Sequence, residues 1–234
     1  MCRDSEQDTP LHKAAWNGHI DVVKFLTLEM FCDPTSRNTH NATALHLAAA
    51  NGHLDIVQFF ISEQNCDSNI PGQYGGTPLH YAAAFGHLQI VKHFTGEQGC
   101  NPSCLDDLSK TPLHRAAMNG QMDILKVLTV EKHCDPMCRD SEQVTPLHFA
   151  AQNGHIDVVK FLTLELHCDP ICRDFEQDTP LHKAAQNGHS DVVKFLTLDM
   201  HCDPTSRNAC NSTALHLAAA NEHLDIVQFL VSEM

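Results

Sequence analysis

The sequence predicts an all-α solenoid, a stack of antiparallel helix pairs joined by hairpin-like loops. Two observations support this prediction. Neighbouring copies of one motif stand 34 residues apart without slippage, and a fixed period in this range is typical of repeat arrays. Each copy also contains start and stop signals for two short helices. The motif reads TPLH or TALH, and its copies begin at Thr9, Thr43, Thr77, Thr111, Thr145, Thr179 and Thr213.

The first helix of each copy begins at the motif. Thr9 can act as its N-cap, because a threonine hydroxyl accepts a hydrogen bond from a free N–H of the first turn. Pro10 suits the next position, where the missing N–H would be unpaired anyway. Small side chains follow, and Gly18 is the expected stop, since glycine adopts the left-handed conformation without strain.

The second helix begins near Asp21, whose charge favours a first helical turn. The apolar run that follows covers more than one side of the helix, which predicts an element packed between neighbours. The residue before each repeated cysteine is the predicted left-handed exit, although a bulky Phe31 fits that position poorly. These residues are Phe31, Asn65, Gly99, His133, His167 and His201.

With these elements in place, the run TPLHKAAWNGHIDVVKFL at residues 9–26 resembles the ankyrin repeat. The resemblance extends over the whole chain and implies one array over residues 1–234. Each copy carries one residue beyond the family's usual length, which we place around residues 28–30, near the end of the second helix. The resemblance also implies that the motif histidine, such as His12, bonds the motif threonine and tethers adjacent repeats. A second set, including His19 and His53, is interpreted as spacers between helices.

Composition limits the classes of partner. The chain has 29 acidic and 15 basic residues, a formal net charge of −14, which repels nucleic acid and anionic membranes and attracts basic partners. No apolar run approaches the roughly 18 residues of a membrane span, so we expect no direct membrane insertion. Eleven cysteines, an odd number, without a secretory signal predict reduced thiols and a cytoplasmic location.

The cysteines and histidines invite a metal hypothesis that the spacing does not favour. The best candidate, residues 133–138, offers at most three ligands, and the next repeat should lie roughly 10 Å away, whereas zinc needs four close ligands. We therefore predict buried thiols, no metal and no cofactor. No phosphate loop, nucleophile elbow or HExxH motif occurs, so we predict no enzymatic activity. A metal- or redox-responsive thiol array is the alternative from a different class.

The resemblance implies that partners bind the finger tips and the ends of the first helices, on the concave side. The predicted function is non-enzymatic binding of a protein or peptide, with a structural segment of a larger scaffold or channel as the alternative. Apolar candidates could instead pack against neighbouring fingers or cover an array end. The predicted partner-binding residues are Trp16, Tyr74, Phe85, Leu108, Met118 and Gln152.

A longer repeat overlies the first. Residues 2–64 match residues 172–234 at 51 of 63 positions, an offset of five motif copies. Neither terminal copy shows the polar outer face of a capping repeat. We interpret this as block duplication and expect the chain to be a window of a longer array.

Overall fold

The computed structural model describes residues 3–96 and 98–233. Their regular structure is entirely helical and forms seven consecutive helix pairs, which fits the seven predicted repeats. Cys2 lies outside the described residues. The helices are α1 (Pro10–Trp16), α2 (Ile20–Lys24), α3 (Ala44–Ala50), α4 (Leu54–Ser62), α5 (Pro78–Ala84), α6 (Leu88–Thr95), α7 (Pro112–Met118), α8 (Met122–Lys126), α9 (Pro146–Gln152), α10 (Ile156–Lys160), α11 (Pro180–Gln186), α12 (Ser190–Lys194), α13 (Ala214–Ala220) and α14 (Leu224–Ser232).

The helices are distributed over two compact units. The first contains residues 3–115 and 126–134, and the second contains residues 116–125 and 135–233, so the boundary falls within the fourth helix pair. In the first unit, α1, α3 and α5 pack in succession, and α2, α4 and α6 form a second row. In the second unit, α9, α11 and α13 form one row, and α10, α12 and α14 form the other. The predicted all-α fold of stacked helix pairs is confirmed.

The N-terminus of each first helix is closed as the sequence predicts. The Thr9 side chain accepts from the His12 backbone N–H, and the His12 side chain accepts from the Thr9 N–H. This reciprocal capping box, with histidine in the place of the usual Glu or Gln, satisfies donors that a helix start would leave unpaired. The same arrangement recurs at α3, α5, α9, α11 and α13.

Four of the second helices end in a π-helical turn, which takes up the extra residue of those repeats. After α2, the Met30 N–H donates to the carbonyl of Phe25, five residues earlier, at 3.2 Å. After α4 and α6, which lack a full π turn, the N–H groups of Gln64 and Gln98 make the equivalent bond to the carbonyls of Phe59 and His93. In these repeats the end of the second helix therefore widens near the position where the sequence places the extra residue. The π turns are Phe25–Glu29, Val127–Glu131, Phe161–Glu165 and Phe195–Asp199.

The predicted left-handed positions are confirmed, and the reservation about Phe31 was wrong. Phe31 has φ of 51°, like the asparagine and histidines at the same repeat position, and its side chain is 85% exposed. Because the Phe31 side chain projects into solvent, its bulk does not clash with neighbouring residues when the backbone is left-handed. Gly18, at the end of the first helix, has φ of 76°.

Candidate functional site

The finger tips are aligned by main-chain hydrogen bonds. In the first unit, the Thr39 N–H donates to the Glu6 carbonyl at 3.0 Å, and the Asp107 N–H donates to the Tyr74 carbonyl at 2.9 Å. In the second unit, the Phe175 N–H donates to the Glu142 carbonyl at 3.0 Å. Because these bonds use backbone atoms alone, the side chains at the tips can vary without disturbing the finger.

An arginine under each of several fingers provides a further link that the sequence analysis missed. The Arg139 guanidinium donates to the carbonyl of Gln143 in its own finger at 3.1 Å and to that of Arg173 in the next finger at 2.8 Å. Arg37 repeats this pattern in the first unit, to Asn41 and Pro71. The arginines recur at the 34-residue period, and that period was the available signal.

In the first unit, the structure places three predicted residues on neighbouring parts of the third and fourth repeats. Tyr74 lies in the 3₁₀ turn Gln73–Gly75 at a finger tip and is 64% exposed. Leu108 follows Asp107, the residue that bonds the Tyr74 carbonyl, so Tyr74 and Leu108 stand on adjoining tips. Phe85 ends α5 in the same repeat as Tyr74 and is 58% exposed.

Trp16 is also exposed, but it is the last residue of α1 in the first repeat. The second repeat therefore separates it from Tyr74 and Phe85 in the third repeat. In the second unit, Met118 and Gln152 are half-buried at the ends of α7 and α9. Their carbonyls accept from His155 and His189 of the following repeats. The geometry of these three residues therefore supports a binding role less directly than that of Tyr74, Phe85 and Leu108.

Phe85 occupies a position that is asparagine in the other six repeats. In five of these repeats, the asparagine amide donates to a carbonyl four residues earlier, as Asn51 does to Leu47 at 2.8 Å. The others are Asn17, Asn153, Asn187 and Asn221. Phe85 cannot make this bond, so the third repeat has an exposed aromatic ring where its neighbours have a helix-capping side chain.

The motif histidines join adjacent repeats, as the resemblance implies. His148 Nδ1 lies 2.8 Å from Thr145 Oγ1, and Nε2 donates to the carbonyl of Asp178 in the next repeat at 3.1 Å. Burial lowers the pKa of His148, and it lowers the pKa of His46 to about 4. These imidazoles are therefore neutral at pH 7, as their hydrogen bonds require.

The histidines after the helix turn also connect repeats, which corrects their interpretation as spacers between helices. His53 Nε2 donates to the carbonyl of Trp16 in the preceding repeat at 3.0 Å. His87 and His155 make equivalent bonds. The ring lies over the glycine that ends the preceding first helix, Gly18 in the case of His53.

The thiols are arranged for packing rather than for reactivity. Burial raises the pKa of Cys168 to about 12 and that of Cys202 to about 11. In the segment weighed as a metal candidate, residues 133–138, Cys134 is buried while His133 is exposed. Within residues 3–96 and 98–233, no three His, Cys, Asp or Glu side chains are close enough to share a metal ion. None of the ten cysteines in these residues forms a disulfide, and Cys210 is exposed.

The cysteines should therefore differ in how fast they react with a thiol reagent. In folded protein at pH 8, Cys210 should react rapidly with a thiol reagent, while Cys168, Cys172 and Cys202 should react only on unfolding. The physical reason is that only the thiolate is nucleophilic, and burial keeps it scarce. Time-resolved titration with mass spectrometry, with and without chelator, measures this. Rapid labelling of Cys168 after chelation would instead favour the metal-responsive alternative.

A buried ion cluster underlies the sixth repeat. Lys183 Nζ lies 2.8 Å from Asp174 and 3.0 Å from Asp178, and the lysine side chain is 15% exposed. Burial alone would lower the pKa of Lys183, but the hydrogen bonds to both carboxylates outweigh it and raise the pKa. In the first repeat, Lys13 makes the same two ion pairs with a side chain that is 53% exposed. The same residue types therefore form a largely buried cluster in the sixth repeat and, apart from Asp8, an exposed one in the first.

None of the helices in residues 3–96 and 98–233 combines the length and apolarity that crossing a bilayer requires.

A family model described as "Ankyrin repeats (3 copies)" matches residues 11–106, 83–174 and 163–234. The crystal structure of the human ASB11 ankyrin repeat domain is similar to this chain, with a TM-score of 0.77 and 26% identity. That alignment covers 94% of this chain and 97% of the ASB11 chain. A search of curated proteins finds no match.

Proposed function

The chain belongs to the ankyrin repeat family, whose members generally act as protein–protein interaction modules, and we propose that it binds a protein or peptide through its finger tips and first-helix ends. Tyr74, Phe85 and Leu108 of the first unit form the centre of the proposed surface. Trp16 is proposed as a further contact in this unit. Met118 and Gln152 are proposed as contacts of the second unit, at its own first-helix ends. The proposed activity is recognition without catalysis.

The replacement of asparagine by Phe85 is the observation that supports this proposal most strongly. An exposed phenylalanine gives up a capping hydrogen bond and leaves an apolar ring in water, so it does not serve the stability of its own repeat. Aromatic side chains are enriched at the centres of protein interfaces. A partner that covers the ring would recover the free energy of burying it.

Tyr74 departs from local rules in a similar way. Its φ is 52°, a left-handed conformation that is strained for an aromatic residue, and the next residue, Gly75, is also left-handed. Local strain at an exposed residue is a common property of ligand-binding positions. The third repeat thus carries two exposed aromatic residues that a sequence optimised for stability would not place there.

The proposed partner is a basic protein or peptide. The net charge of −14 favours association with positive charge, and Asp107 adjoins Leu108 on the exposed part of its finger. The tip position of Tyr74 is occupied by Glu6 in the same unit and by Glu142 and Glu176 in the second. Such a surface accelerates association with basic segments in a salt-dependent manner. A reducing, cytoplasmic location is also proposed, because the number of cysteines, eleven, is odd.

Two substitutions toward the commoner repeat sequence should separate binding from folding. We expect Phe85→Asn and Tyr74→Gly each to weaken binding at least about fivefold, the equivalent of about 1 kcal/mol, because each removes an interface aromatic side chain. Both should preserve or raise the thermal midpoint, since Asn restores the helix cap and Gly relieves the left-handed strain. A peptide selected from a displayed library of basic sequences serves as the ligand, and calorimetry gives Kd.

His40→Ala is the matched control, because His40 is exposed at the tip position of the second repeat that corresponds to Tyr74. We expect it to change Kd less than about twofold, as is usual outside an interface centre. Unchanged affinity in both Phe85→Asn and Tyr74→Gly would show that the selected ligand binds elsewhere, and the proposed surface would be abandoned. Loss of affinity together with unfolding would assign these residues to stability instead.

A further inference from the structure

The main-chain bonds between successive finger tips are interrupted between the second and third fingers of the first unit. These fingers comprise residues 38–42 and residues 72–76. Every other pair of successive fingers within a unit is joined, as when the Thr39 N–H donates to the Glu6 carbonyl at 3.0 Å. The equivalent bond would run from the Gln73 N–H to the His40 carbonyl, and it is not formed. The Gln73 N–H interacts instead with the Tyr81 hydroxyl of its own repeat, which leaves the His40 carbonyl without a donor among residues 3–96 and 98–233.

Gly72 is the residue that sets the third finger apart. The other six fingers carry Asp or Asn at this position, and in five of them its Oδ1 accepts from the N–H of the tip residue, as Asp106 does from Leu108 at 2.9 Å. Glycine has no side chain to do this, and the Tyr74 N–H has no acceptor in the part of the chain that the structure describes. The five fingers with the bond are those of Asp4, Asn38, Asp106, Asp140 and Asn208.

A hydrogen bond at the base of the third finger is also missing. In four other repeats the motif histidine donates through Nε2 to the carbonyl of the residue before the next motif, as His80 does to Lys110 at 3.0 Å. His46 Nε2 lies near the corresponding Gly76 carbonyl but makes no hydrogen bond, although the ring is fully buried. A Cβ on Gly72 would be 2.7 Å from this nitrogen, so the third finger occupies a position that only glycine allows. An unpaired buried donor costs stability, and the fold does not require it, because the other fingers avoid it.

We propose that the main chain of a bound peptide pairs with the break between the second and third fingers, an inference that rests on the proposed function. An N–H of the peptide donates to the His40 carbonyl, and a carbonyl of the peptide accepts from the Tyr74 N–H. Extended segments bind exposed backbone edges in this way, with affinity from main-chain bonds and specificity from neighbouring side chains. The exposed rings of Tyr74 and Phe85 in the same repeat supply that specificity.

The two unpaired groups fit a peptide backbone better than an ion. One group is an acceptor and the other is a donor, and a peptide unit carries the complement of both. An anion would satisfy the Tyr74 N–H alone, and the exposed carboxylates of Glu6 and Asp107 on the first and fourth fingers would repel it. The contact uses the carbonyl of His40 and not its side chain, so it agrees with the small effect expected of His40→Ala.

Amide hydrogen exchange measured by NMR tests the proposal on the native protein. In the free protein the Tyr74 N–H should exchange at least about tenfold faster than the Leu108 N–H, which has the same position in the fourth finger and is hydrogen-bonded. Saturation with the peptide selected from the library of basic sequences should slow the Tyr74 N–H to about the rate of Leu108. A Tyr74 N–H that is already protected in the free protein, or that the bound peptide leaves unprotected, would overturn the proposal.

Gly72→Asn should weaken binding of the same peptide about tenfold, as expected for the loss of two hydrogen bonds. Asparagine gives the Tyr74 N–H an oxygen from within the finger, as Asn38 does for His40 at 3.0 Å. Its Cβ also moves the finger away from His46, toward the position in which the His40 carbonyl is paired with the Gln73 N–H. Circular dichroism should show an unchanged fold and a thermal midpoint at least as high. Native affinity in this variant would contradict the proposal.

Ester substitution along the peptide identifies the residue that pairs with His40. Each ester removes one N–H and leaves the side chains unchanged. At one position we expect about a fivefold loss of affinity for the native protein and less than about twofold for Gly72→Asn, because the two changes remove the same interaction. If Gly72→Asn fails to fold, this scan and the exchange rates on the native protein decide the matter, and a scan without any sensitive position excludes main-chain pairing.

These results separate the inference from the proposed function. If Phe85→Asn and Tyr74→Gly weaken binding while exchange at Tyr74 and every ester are without effect, the peptide binds the proposed surface through side chains alone. If neither substitution changes the affinity, the proposed function itself is wrong.

Discussion

Replacing Lys183 by methionine should lower the free energy of unfolding of the region around the sixth repeat by about 3 kcal/mol. The substitution leaves Asp174 and Asp178 buried beside each other without a cation, since their side chains are only 3% and 9% exposed. Removing one partner of a buried ion cluster is far more damaging than the net stability of the cluster suggests, because an uncompensated charge remains. Urea unfolding monitored by circular dichroism measures the effect.

Lys13→Met is the matched control, because Lys13 has the same two carboxylate partners at the equivalent positions of the first repeat. The side chains of Lys13 and Asp4 are 53% and 39% exposed, so water screens this cluster more strongly even though Asp8 is only 10% exposed, and we expect a smaller loss. Equal losses in the two variants would show that burial does not determine the strength of these ion pairs.

Acidification should destabilise the fold through the buried motif histidines. The pKa of His46 is lowered from 6.5 to about 4 because burial disfavours the charged ring. Between these values the unfolded chain takes up a proton that the folded chain refuses. The stability contributed by neutral His46 is therefore complete above pH 6.5 and is lost as the pH falls toward 4. For His46 alone, we expect a loss of about 2 kcal/mol between pH 7 and pH 5.

The motif histidines His12, His80, His148 and His182 also have a lowered pKa caused by burial, so the measured loss should exceed that of one residue. Urea midpoints at half-unit pH intervals provide the measurement. His46→Gln removes one titrating group and should reduce the loss between pH 7 and pH 5 by about 2 kcal/mol, at some cost at pH 7. A pH dependence identical to that of the native protein would contradict the assignment to His46.

The sequence was sufficient for features that repeat within one motif. The bond between Thr9 and His12 was implied by the resemblance to the ankyrin repeat, and the spacing agrees with it, because a threonine cap places the third helical residue within reach of the same turn. The π turns fell near the predicted extra residue because the helix must absorb it before the left-handed exit. Features that involve two repeats were harder to predict. The contacts of His53 were misinterpreted because its partner, the Trp16 carbonyl, lies 37 positions earlier.

Burial was the property that local sequence could not supply. Residues 9–15 are identical to residues 179–185, yet the Lys13 side chain is 53% exposed and that of Lys183 is 15% exposed, because the fifth repeat covers the sixth. The candidate binding residues show the same limit. Phe85 and Met118 had been selected together, but Phe85 is exposed while Met118 is half-buried. These differences in exposure depend on which repeats pack against each residue, and the sequence of a single motif does not contain that information.

The main-chain bonds between finger tips have a consequence for the evolution and engineering of this protein. In the proposed function a partner would contact side chains such as that of Tyr74, whereas the frame that positions them is held through the carbonyl of the same residue. Recognition and architecture thus draw on different atoms of one amino acid. A gene could exchange tip residues freely and acquire new ligands while its fold persisted, and a designer could randomise those codons with little risk to folding.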